Sequence, residues 1–156
     1  MGLIRPDGDR ASAIDRAIGR ITAAHADGYG IVVQRREGPG QGWMSAAELD
    51  GSGRVEAKLI DAIQGMSGPP AEHIRAEWML ESVARAVADL AGSFAVAARG
   101  LPALDPGNVL LAAEGGLVRA TAVASDRLTV LAGEGEPGDG GETFASLAEL
   151  ADRFRE

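Results

Sequence analysis

Apolar side chains at Ile14, Ala17, Ile18, Ile21 and Ala24 recur at helical spacing, which predicts an amphipathic helix over 11–26, capped by Asp9 or Ser12 and ended by Gly28. Tyr29 to Arg35 has a β-branched centre between glycines and reads as a strand. The loop Glu37 to Gly42 follows. Ser45 and Glu48 then have the spacing of a capping box, so a short helical turn is expected over 46–50. A second helical period runs from Val55 to Gln64 through Leu59, Ile60 and Ile63, and Gly65 to Pro70 breaks it. The strongest pattern lies in 71–98. There Ala76, Leu80, Val83, Val87, Leu90, Phe94 and Ala97 step by fours and threes, laying an apolar stripe along a helix of roughly 40 Å. Ile74, Trp78 and Met79 widen that face near its start, and Gly100 and Pro102 stop the helix.

Beyond Pro106 the period shortens to that of strands. Asn108–Ala113 and Leu117–Val123 flank Glu114-Gly115-Gly116 as a β-hairpin, and Arg127–Leu131 follows the Ser125-Asp126 turn as a third strand. An acidic, glycine-rich flexible loop over 133–142 leads into a closing helix over 143–155, apolar at Phe144, Leu147, Leu150 and Phe154. Helices followed by strands give the α+β class: one long central helix with flanking helices packed on a small antiparallel β-meander, as a single domain over 1–156.

Composition narrows the function. A chain of 156 residues, 46% hydrophobic, supports a core without staples. No apolar run approaches the roughly 18 residues of a membrane helix, and MGLIRPDGDR lacks the apolar region of a secretory signal, so a cytoplasmic location is expected. The absence of cysteine excludes disulfides, thiolate catalysis and thiolate-held clusters in this sequence. A net charge of -8 repels nucleic acid and anionic lipid, so neither is expected as a partner. Lys58 is the only lysine against fourteen arginines, so arginine is the default cation and its abundance does not by itself mark phosphate binding. From Glu134 onward seven acids face two arginines, which concentrates the negative charge at that end.

His73, Glu77, Glu81, Arg85 and Asp89 lie four apart and form a polar ribbon on the long helix. His73 with Glu77 or Glu81 has the residue types of an acid/base pair. The same spacing also gives ordinary surface ion pairs worth about 0.2–0.5 kcal/mol each. No metal signature such as H-E-x-x-H is present, so no metal site is expected. His25 reads as a helix-end residue, and no serine stands in a G-x-S-x-G elbow. Gly133–Gly138 has the spacing of a dinucleotide loop, but its two glutamates would face the pyrophosphate and Pro137 breaks the turn. Tyr29, Arg35, Trp43, His73 and Trp78 remain as ligand-binding candidates, because convergence of their rings and cation would give an aromatic pocket with a charged rim.

The run Ala95 to Leu111, AVAARGLPALDPGNVLL, resembles a segment of the FhuF-type ferric-siderophore reductases. In that family a long helix passes through an R-x-x-P-x-L-x-x-x-N-V stretch into a β-hairpin. The likeness extends loosely over 40–155, to Gly42-Trp43-Met44, the helix from Glu72 and the strand at 127–131. It implies the fold of the family's N-terminal half and a surface related to siderophore or natural-product handling. The family's four-cysteine [2Fe–2S] region has no counterpart here, so its redox activity does not carry over and no cofactor is expected.

Three functions are compatible with the sequence. One is a small-molecule-binding protein of a siderophore or specialised-metabolite pathway. Another is a cofactor-independent cyclase, isomerase or hydrolase using His73 with Glu77 or Glu81. The third is an assembly subunit or homodimerising domain.

Overall fold

Ser12 opens the first helix, α1 (Ala13–Ala24). Its Oγ accepts from the Asp15 N–H at 3.2 Å, and Asp15 Oδ2 accepts from the Ser12 N–H at 3.3 Å, closing a reciprocal capping box. Of the two expected caps, Ser12 is the one used, and Ile14, Ala17 and Ile21 turn inward as their spacing predicts. The computed structural model describes residues 11–25, 32–64, 69–138 and 140–153. Tyr29, the expected stop at Gly28 and Phe154 lie outside these residues.

Strand β1 (Val32–Arg35) runs parallel to β5 (Leu117–Val123), which pairs antiparallel with β4 (Val109–Glu114). A further strand, β2 (Trp43–Ser45), pairs antiparallel with β4 and gives the order β1-β5-β4-β2. Trp43 therefore belongs to a strand rather than a loop end. A short 3-10 turn, Ala46–Glu48, follows under the Ser45/Glu48 capping box. Helix α2 (Arg54–Ala62) comes next, and its end lies against the β4–β5 turn.

The long helix α3 (Pro69–Ser93) passes directly into a π turn, Phe94–Ala98. Its buried line is Ala71, Met79, Ala86, Leu90, Phe94 and Ala98. The expected stripe is therefore rotated: Leu80 is 62% exposed, while Val83, Val87 and Ala97 flank the core. The buried side is set by α1 and the sheet, and apolarity alone does not rank two adjoining faces of one helix. Arg99 ends the run in the left-handed conformation, with φ 53°.

The antiparallel meander is not formed as expected. The β4–β5 hairpin is present, but β6 (Leu128–Leu131) leaves it to pair antiparallel with β3 (Gly100–Pro102) and parallel with β7 (Thr143–Phe144) in a second sheet. Buried Asn108 explains the departure. Its Nδ2 donates to Ala103 O, and its Oδ1 accepts from the N–H groups of Ala124, at 3.0 Å, and Ser125. One side chain thus pins the turn after β5 to the start of the 103–108 loop and sends the chain onto the second sheet. Within the glycine-rich segment, Gly138 N donates to Leu128 O of β6 at 3.0 Å. The closing helix α4 (Leu147–Arg153) starts later than its periodicity predicts, because Phe144 is drawn into the second sheet. The molecule is α+β with a long central helix, and Ile14, Val33, Leu90, Phe94, Leu111 and Val130 share one core.

Candidate functional site

On α3, Trp78, Glu81, Ser82 and Arg85 occupy positions i, i+3, i+4 and i+7 and so share one face. They form one wall of a groove of about 520 Å³, whose other wall is Leu117, Val118 and Arg119 at the start of β5. That volume falls in the range of small-molecule sites.

The groove exists because β5 is irregular there. Ala112 pairs with Ala120 and Ala113 with Val118, so Arg119 is an extra residue without a partner on β4. A bulge of this kind re-aims a side chain and leaves backbone groups off the ladder. Among the described residues β1 pairs with 120–123, and none of them pairs with the beginning of β5 on that side. Helix α3 supplies the partner instead. Ser82 Oγ accepts from the Val118 N–H at 3.3 Å and donates to Met79 O at 2.8 Å, stitching helix to strand at the groove.

The charges are unevenly committed. Arg85 donates to Glu81 across one helical turn, in an exposed pair worth about 0.2–0.5 kcal/mol. Arg119, by contrast, pairs with no carboxylate among the described residues. Trp78 leaves 43% of its surface uncovered beside it.

Of the residues singled out from sequence, the structure brings together Trp78, Glu81 and Arg85. It does not bring the others to them. His73 Nε2 and Glu77 Oε1 lie 3.3 Å apart with side chains 80% and 64% exposed, away from the groove lining. Arg35 is held between Asp126 at 2.7 Å and Asp15 at 3.5 Å. Trp43 lies under the Arg36 guanidinium, 4.9 Å from its ring centre. Tyr29 falls outside the described residues. Ser82, Leu117, Val118 and Arg119 were not singled out. The spacing 78, 81, 82, 85 was the available signal on the helix, whereas a bulge has none in a single sequence. Among the described residues no three His, Asp or Glu side chains are grouped to hold a metal ion, and no helix is long and apolar enough to cross a membrane.

The stretch behind the family resemblance runs from the end of the long helix to the β4–β5 hairpin. Arg99 ends the π turn, Pro102 lies in β3 and Asn108 ties the loops together, so these residues form the joint between the two sheets. Comparison with protein-family models, with curated proteins and with solved structures finds no match.

Proposed function

We propose that this chain is a small-molecule-binding protein whose guest lies in the groove between α3 and the bulged start of β5. The observation that carries the reading is Arg119, a cation on a bulge residue with no carboxylate partner among the described residues, beside the exposed ring of Trp78. Beside it the Val118 N–H, which meets no strand partner on the β1 side among the described residues, is taken up by Ser82 Oγ, so the two walls of the groove are joined by a hydrogen bond. The guest comes from siderophore or other specialised-metabolite chemistry, as the resemblance implies. The proposal includes no thiolate-held cluster, since these 156 residues contain no cysteine. The proposed setting is the cytoplasm, and the charge of -8 disfavours nucleic acid and anionic membranes as partners.

Isotope-labelled protein titrated with cationic, neutral and anionic aromatic fragments tests the site. The expected result is a set of saturable shifts at the Trp78 indole N–H and the Val118 and Arg119 amides. Fragments that bind elsewhere, leaving these resonances still, would remove the groove from consideration.

A further inference from the structure

The chemistry of this groove also limits what it can hold. We infer that its guest is a flat aromatic monocarboxylate that carries a hydrogen-bond donor, such as a hydroxyl, away from the acid group. The inference rests on the groove being the binding site.

Four observations lead to this class. The free Arg119 guanidinium presents a planar fork, and a carboxylate is the anion whose two oxygens match such a fork side by side. Trp78, Leu117 and Val118 give the groove its apolar surface, which suits a ring. Glu81 also lines the groove, and its carboxylate accepts hydrogen bonds and repels negative charge. It already holds Arg85, so that second cation is partly neutralised.

The groove therefore offers two guanidiniums against one carboxylate, a surplus of a single positive charge. A phosphate monoester or dicarboxylate would bring two negative charges to that surplus and place one of them near Glu81. The overall charge of -8 opposes a dianion further. A purely neutral ring would leave the Arg119 fork unused. A monoanion that keeps its acid at Arg119 and turns a donor toward Glu81 satisfies both charged groups without breaking the Glu81–Arg85 pair.

The experiment is calorimetric titration of the full chain with 4-hydroxybenzoate, its neutral counterpart 4-hydroxybenzamide, and the dianion phthalate. Arg119→Gln and Trp78→Ala are titrated alongside, with circular dichroism to confirm folding. The acid should bind the unaltered protein at one site, at least about tenfold tighter than the amide or phthalate. Arg119→Gln should abolish that preference while leaving the amide unchanged, and Trp78→Ala should weaken acid and amide together. Equal binding of acid and amide, tighter binding of phthalate, failure of the acid to bind, or an acid affinity unmoved in Arg119→Gln would each overturn the assigned class. Loss of both aromatic probes in Trp78→Ala would keep the groove as the site in the first of these cases. Affinity for the probes that survives both substitutions would instead sink the binding reading itself.

Discussion

Thr121 is one of five described residues with a buried side-chain polar atom left without a hydrogen-bond partner. It lies between Val33 and Leu111 in the sheet register, is 0% exposed, and its Oγ1 has no hydrogen-bond partner. Since a buried hydroxyl without a partner costs about 1–3 kcal/mol, Thr121→Val is expected to stabilise the fold by roughly 1 kcal/mol. Urea denaturation measures this, and a loss of stability would mean that the hydroxyl is satisfied. Asp50, exposed before α2, has its carboxyl held below the ordinary aspartate value of 3.8 by the Ser52 hydroxyl and then by the Ser52 N–H. Because the folded value is lowered, the stabilisation is present above the unfolded value and fades as pH falls through the folded one. Ser52→Ala should raise the Asp50 midpoint toward 3.8, followed by NMR titration of its carboxyl carbon.

Contacts between elements explain why the hairpin can carry a groove. Gly116 sits in its turn at φ 82°, and a Cβ there would fall 2.1 Å from Leu59 O and 2.6 Å from an Ile63 side-chain carbon. The end of α2 thus rests on the backbone of the β4–β5 turn. Gly116→Ala is expected to destabilise by more than about 1 kcal/mol, through both the collision and the left-handed conformation. A thermal midpoint equal to that of the parent would contradict this packing. Elements of this kind were readable in the sequence where one local cause decided them. The Ser45/Glu48 box and the Gly115-Gly116 turn each have a short-range physical signature. The buried face of α3, the partner of β6 and the bulge at Arg119 are settled by contacts far along the chain. Leu80 is as apolar as Leu90, yet only Leu90 meets α1 and the sheet in the core. The candidate site was legible by half for the same reason: its helical wall has a period, and its strand wall depends on register.

At the scale of the whole molecule, the large exposed apolar residues include Val32, Leu80, Val96 and Leu147 on separate stretches of chain. Leu80 and Val96 stand about 24 Å apart along the helix at the standard rise. Scattered single residues do not make the contiguous patch that a stable dimer covers. Light scattering at micromolar concentration is expected to report a monomer, and a dimer would favour the assembly role instead. The bulge also places the proposed charge contact on a residue that the β4–β5 ladder does not use. Excising Arg119 alone would bring Val118 and Ala120 into consecutive register with Ala113 and Ala112, healing the ladder while taking away the lone cation. Such a shortened chain should fold at least as well as its parent yet lose the preference for an acid over its amide, so the proposed selectivity could vanish in one codon while the shape is kept.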